Sequence, residues 1–287
     1  MRYYLLLIIA TMLMASAFVA GKVLIVAGAD PIALVASRFI AAGFIALLWL
    51  KLLGKLQMPS SWQALLGIVI VGSLQTAALF AIGFSAMGYL SAAVVSLITM
   101  TMPLWVVGIG ATLDRKMPAR AQLAGLFLGV FGVAMVVGDG LSSPEADQPL
   151  WAALVILGAI AWALATLYAK RVDFGISGWS LNGWQMLIGG CEVLLLQLLL
   201  ARPALAVISL SEWLALSWLV VPASIFSFGL WFAALRLGGA GVTSGYLFLV
   251  PLFTALLSIP ILGASFSASQ VFGGAMIGCG IWLMSKA

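Results

Sequence analysis

The chain has 287 residues, 64% of them hydrophobic and only 7% charged, where soluble domains carry roughly 25% charged residues. Its 13 basic and 8 acidic side chains are too few to clothe a soluble surface, which excludes a water-soluble enzyme. The net charge of +5 is scattered over short connections and forms no patch for nucleic acid.

A membrane-crossing helix needs ~20 mainly apolar residues, and runs of that kind follow one another along the whole chain. The first, 3–21, lies in "MRYYLLLIIATMLMASAFVAGK". It resembles a signal peptide in its basic start and "ASA" segment, but the internal repeat described below assigns it to a retained first helix. Met12 and Met14 give it an adaptable apolar wall. The second run, 31–53, contains Arg38, and the third, 62–84, contains Gln75 and Thr76. The fourth, 89–113, carries "LITMTMPLW", where Pro103 must interrupt the helix because it lacks an N–H and clashes with the preceding turn. Ser96, Thr99, Met100 and Pro103 recur there at helical spacing and share a face. The fifth, 119–138, holds the small-residue motif "GLFLG" (Gly125, Gly129), a packing signature.

Residues 139–149 form an acidic, Pro- and Ser-containing linker. Beyond it the sixth run, 150–170, carries Trp162 and Thr166, and the seventh, 179–200, carries Gln185 and Glu192. The eighth, 212–235, includes Ser224 and Ser227. The ninth, 242–262, includes Ser244, Tyr246, Leu247 and Pro251, and the tenth, 266–285, includes "GAMIG" (Gly274, Gly278). Cys191 and Cys279 lie within apolar runs and read as small buried hydrophobes, not as a disulfide or metal pair.

Basic residues orient these spans. Arg2, Lys51, Lys55, Arg115, Lys116, Arg120, Lys170, Arg171, Arg236 and Lys286 fall on the side of the N-terminus, against Lys22 and Arg202 on the other. The positive-inside rule puts both termini in the cytoplasm of a bacterial inner membrane and the linker outside.

Shifting the sequence by 148 residues aligns Lys22 with Lys170, Phe80 with Phe228, Phe84 with Phe232, Ser96 with Ser244, Pro103 with Pro251, Gln122 with Gln270, Gly125 with Gly273 and Gly132 with Gly280. Paired Lys, Pro, Gln and Phe at one offset indicate duplication. Residues 1–138 and 150–287 are thus two five-helix repeats of a single membrane domain. Because five is odd, the second repeat enters the membrane inverted, an architecture of secondary transporters whose sites lie at the repeat interface near interrupted helices. The expected fold is an all-α polytopic membrane protein of ten transmembrane helices in two inverted five-helix repeats.

The segments "LSAAVVSLITMTMPLWVVGIGATLDRKMPARAQLAGLFLGVFGVAMV", "GGAGVTSGYLFLVPLFTALLSIPILGASFSASQVFGGAMIGCGIWLM" and "DPIALVASRFIAAG" resemble the drug/metabolite transporter superfamily. The resemblance is to its EamA-type ten-helix members, with amino-acid exporters of the YddG type the nearest branch. It implies export of a small metabolite, such as a hydrophobic or aromatic amino acid. A drug, a sugar or a nucleotide-sugar is the alternative on the same fold. The chain departs from the family where a glutamate often precedes the repeat glutamine by six residues. Lys116 and Ala264 stand there.

The central cavity is expected to be built from Gln75, Ser96, Thr99, Met100, Trp162, Ser224, Ser244 and Tyr246, with Pro103 and Pro251 as helix breaks. Any one hydroxyl can instead bond its own helix carbonyl. Arg38 and Glu192 are intramembrane charges, which usually face a partner or water. Both sit at about the same depth from the outer side, counted at ~1.5 Å per residue, so they can pair or share a vestibule. Arg38 can also reach outward to the interface.

The chain has no histidine and no nucleotide-binding loop. Neither a catalytic site, a metal, a cofactor nor an ATPase subunit is therefore expected. The expected partners are the bilayer and a small-molecule substrate, not nucleic acid, with the protein a monomer or homodimer. The first and sixth spans hold no carboxylate for a proton relay. A facilitator or weakly coupled exporter working by alternating access follows, reading its cargo through aromatic and hydroxyl contacts and not through an opposite charge. A membrane channel is the rival from another class.

Overall fold

The computed structural model describes residues 2–90, 92–137, 148–206, 209–262 and 268–286, and among these the regular structure is entirely helical. The acidic linker lies outside the described residues, apart from its last two. The first half comprises α1 (Arg2–Val26), α2 (Pro31–Leu52), α3 (Trp62–Val71), α4 (Leu79–Ala86), α5 (Ala92–Thr99), α6 (Met102–Asp114) and α7 (Arg120–Val137). The second comprises α8 (Gln148–Arg171), α9 (Gly178–Leu199), α10 (Leu210–Val220), α11 (Ser227–Leu237), α12 (Ala240–Gly245), α13 (Leu249–Leu262) and α14 (Ala268–Ser285).

Helices start where the connections supply an acceptor for the unpaired N–H groups of the first turn. Asp30 accepts from the Ile32 and Ala33 amides, each at 3.0 Å, ahead of Pro31. Ser61 and Ser177 each cap with a hydroxyl, and Ser209 forms a reciprocal capping box with Glu212. Between α2 and α3 the chain turns at Gly54, whose φ of 65° a Cβ would oppose.

Five stretches are long and apolar enough to cross a membrane: Tyr3–Val26, Pro31–Leu52, Trp62–Ala86, Pro149–Arg171 and Leu210–Leu237. Shorter apolar helices cover Met102–Asp114, Arg120–Met135, Ala240–Thr254 and Val271–Met284. Where hydropathy predicts ten uniform runs, the described residues thus form five long apolar stretches, two of them carrying a π-helical segment, alongside shorter or broken helices. The seventh run is a 22-residue helix, but it carries Asn182, Gln185, Glu192 and Gln197 and falls outside the strongly apolar set.

The irregularities recur 148 residues apart. A π-helical segment, Gly72–Ala78, joins α3 to α4, and another, Val221–Phe226, joins α10 to α11. In the second case Pro222 removes a donor, and the Ser224 hydroxyl bonds the Leu219 carbonyl at 2.7 Å. Likewise α5 stops at Thr99 before Pro103, while a 3-10 turn at Tyr246–Phe248 precedes Pro251. Proline lacks the N–H for the local ladder in both places, and beside the first break the threonine hydroxyls bond carbonyls of their own turn: Thr99 bonds Val95 O and Thr101 bonds Ile98 O, each at 2.7 Å.

Two helix pairs form the closest contacts. α2 and α9 pack antiparallel. A Cβ on Gly183 would lie 2.8 Å from Leu47 Cδ2, and one on Gly190 would lie 2.7 Å from Ile40 N. α7 and α14 cross the same way: a Cβ on Gly125 would lie 2.5 Å from the Gly280 carbonyl oxygen and one on Gly132 would lie 2.6 Å from that of Gly273. The small-residue face of α14 is therefore Gly273 and Gly280. Gly274 faces Leu252 instead, and Gly278 has open space around it. Seven residues, two turns, separate the working pair, so both point at the same neighbour. The cysteines are also placed differently from expectation: Cys191 and Cys279 are exposed on the outside of the bundle, because each lies about 100° around its helix from the packed glycine beside it.

Candidate functional site

A narrow cavity of about 40 Å³ lies where both halves meet. Met14, Ala17 and Phe18 of α1, Arg38 of α2, and Phe80 and Phe84 of α4 line it from the first half. Val95 and Thr99 of α5 and Met100 beyond it also line it from that half. The second half contributes Trp162 of α8, Ala223 of the π-helical segment and Phe228 of α11. Phe80 and Phe228, which occupy equivalent repeat positions, meet edge to face with ring centroids 5.8 Å apart. Trp162 continues the aromatic wall, 6.4 Å from Phe228.

Arg38 is fully buried. Its Nε donates to Ser224 Oγ at 2.8 Å and its Nη2 to the Ala223 carbonyl at 3.1 Å. The guanidinium carbon lies 4.6, 5.2 and 5.8 Å from the ring centres of Phe39, Phe80 and Phe84, within cation–π range. Nη1 has no partner. The side chain therefore does not reach outward to the interface. It also does not meet Glu192, whose Oε1 accepts from Ser73 Oγ at 2.8 Å. Ion pairs among the described residues are Arg171–Asp114 at 2.7 Å and Arg202–Asp30 at 3.6 Å.

The π-helical segments explain the Arg38 anchor. A wider turn brings Ser224 against α2, and at the equivalent place in the first half Thr76 donates to Gln185 Oε1 of α9 at 2.5 Å. Hydroxyls 148 positions apart thus each bind a polar side chain on a neighbouring helix.

Of the residues expected to face substrate, Thr99, Met100 and Trp162 line the cavity, and Ser224 stands behind Arg38. Gln75 and Ser96 are buried but outside the lining, and neither the Gln75 amide atoms nor Ser96 Oγ has a hydrogen-bond partner. Ser244 donates to its own helix at Gly241 O, 2.9 Å. Tyr246 packs with Tyr3 and Tyr4 at 6.5 and 6.1 Å, beside the Tyr3–Thr243 hydroxyl contact of 2.8 Å. Pro103 and Pro251 sit just past the two breaks. The phenylalanines were legible in sequence only as repeat matches. The match of Phe80 to Phe228 at the 148-residue offset was the available signal.

Toward the Asp114–Arg171 end, Lys170 Nζ donates to the Leu235 carbonyl at 2.9 Å and Arg236 donates to the Ile176 carbonyl. These ties join α11 to α8 and to the α8–α9 connection at one end of the bundle.

The sequence matches the EamA-like transporter family over residues 1–138 and 149–286. It is 28% identical to an uncharacterized transporter of Synechocystis over 91% of this chain and 83% of that protein. It is 24% identical to the uncharacterized inner membrane transporter YedA of Escherichia coli K12 over 83% of this chain and 76% of the other. A solved crystal structure with 19% sequence identity shares the fold at a TM-score of 0.81, covering 98% of this chain and 95% of that one.

Proposed function

We infer the function from one premise: the chain belongs to the EamA-like transporter family, and it is a multi-pass membrane protein. We propose a secondary transporter of the bacterial inner membrane that exports small amphipathic metabolites, hydrophobic and aromatic amino acids first among them. Cargo passes by alternating access through the aromatic cavity between two inverted five-helix repeats.

One observation carries this reading. Phe80 and Phe228, one from each half and 148 positions apart, touch across the cavity they both line. The antiparallel glycine contacts support the inversion. Gly125 meets Gly280 and Gly132 meets Gly273, and exchanging the halves at the 148 offset turns each contact into the other. That is the reciprocity of a two-fold relation. An axis running through the cavity gives two equivalent gates around one site, an arrangement a continuously open channel does not need. The paired prolines stand as hinges, and the distribution of basic residues supports cytoplasmic termini.

Uptake of radiolabelled phenylalanine into proteoliposomes tests it. Saturable flux, several orders below channel rates, is expected. Trp162→Ala should lower it about tenfold, the loss of a large aromatic contact. Linear, unsaturable flux would reject the carrier reading, and full activity of a folded Trp162→Ala protein would remove this cavity from the path.

A further inference from the structure

Sequence composition suggests cargo recognition without an opposite charge, but one buried cation in the cavity wall argues for the contrary. The cavity wall is apolar and aromatic except for one charged group, Arg38, and its free polar atoms are donors. Arg38 Nη1 and Trp162 Nε1 are both buried, unpartnered, and carried by lining residues. The lining hydroxyl, Thr99, spends its proton on the Val95 carbonyl. The lining contains no carboxylate, and no ion pair among the described residues includes Arg38.

A guanidinium buried without a counter-ion is costly, and a bound anion relieves that cost. Two of its nitrogens are tied to Ser224 and the Ala223 carbonyl, so the plane of the fork is fixed before cargo arrives. A carboxylate oxygen can accept a charge-assisted hydrogen bond from the nitrogen that remains. An ammonium finds no such match. The faces of Phe80 and Phe84, which attract cations, already lie beside the guanidinium, and its charge repels a second one.

We propose that Arg38, assisted by the Trp162 indole N–H, is the carboxylate-binding subsite of this cavity, and that the cargo class is an aromatic or branched apolar monocarboxylate whose amino group, where present, goes unread. The proposal rests on the transport reading above but makes a separate claim about charge. Ser224 is the positioning residue that holds the guanidinium plane.

The test is binding of four probes that share one ring to the full-length protein in lipid nanodiscs: 3-phenylpropanoate, phenylalanine, phenethylamine and 3-phenylpropan-1-ol. Expected is 3-phenylpropanoate binding at least as tightly as phenylalanine, with phenethylamine weaker by about tenfold or more, the worth of one charge-assisted hydrogen bond. Arg38→Gln should remove that advantage of the acid while leaving the alcohol within about twofold, and Arg38→Lys should restore part of it. Should Arg38→Gln fail to fold, the wild-type ligand series decides alone. Phenethylamine binding as tightly as the acid would overturn the proposal, and so would phenylalanine binding tenfold more tightly than 3-phenylpropanoate. Binding of none of the probes overturns it as well. In that case saturable proteoliposome flux of another solute would still uphold the transporter.

Discussion

Gln75 poses the sharpest problem at the scale of a residue. Its amide is buried in the π-helical turn with neither polar atom bonded, and such an orphan costs about 1–3 kcal/mol. The neighbouring Thr76 escapes that cost by bonding Gln185. Replacing Gln75 with methionine keeps the length and removes the orphan, so the variant should unfold at a higher temperature in detergent. A residue retained despite such a cost is commonly one that function uses, and the same variant should transport more slowly. Higher stability with undiminished flux would mean that the amide serves no step of the cycle. The residue scale is also where the sequence was least legible. Arg38 stood out as a charge in an apolar run, but its neighbours did not. Ser224 lies 186 positions away, and only the wider π-turn brings its hydroxyl within 2.8 Å. Ser96 and Ser244 are a matched pair in sequence, yet one has no partner and the other bonds its own helix. Spacing alone carries no information on which way a hydroxyl turns.

At the scale of elements, sequence reading located nearly every helix, because hydropathy and capping residues act locally. Both broken helices were legible from proline. The π-helical segments were not, since they preserve apolar continuity and leave no gap in a hydropathy trace. Small-residue motifs were legible as a class but not as a register. "GAMIG" marks α14 as a packing helix, while the residues in contact are Gly273 and Gly280. This difference is testable with two conservative changes. Gly280→Ala sets a methyl 2.6 Å from the Gly125 carbonyl, so α7 and α14 must separate, and overpacking of this kind costs about 1–3 kcal/mol. Gly278→Ala meets nothing within 4 Å and gains up to about 1 kcal/mol of helix propensity. Thermal unfolding in detergent should therefore fall for the first and hold or rise for the second. Equal effects would place the α7–α14 contact elsewhere.

At the scale of the whole molecule, several signs that support two inverted halves share one offset. Sequence matches, π-helical segments, proline breaks and reciprocal glycine contacts all recur at 148 residues, though packing, hydrogen bonding and composition are separate physical demands. A duplicated but parallel bundle would reproduce the first three and fail the fourth, because α7 and α14 would then run the same way. The proposed inversion also predicts where each connection emerges. With cytoplasmic termini it puts the α6–α7 connection at Met117, 90% exposed, and the end of α11 at Leu237, 63% exposed, on the cytoplasmic side. It puts the α1–α2 connection at Gly28 and the α9–α10 connection at Ala201 outside. Single cysteines at these four places, in a chain with Cys191 and Cys279 changed to serine, should divide in intact cells. A membrane-impermeant maleimide should label positions 28 and 201 directly, and positions 117 and 237 only after the membrane is opened. Labelling of 28 and 237 from one side with 117 and 201 from the other would break the inverted arrangement. Exchange of the two expected sets would keep the inversion and reverse the orientation that the basic residues assign.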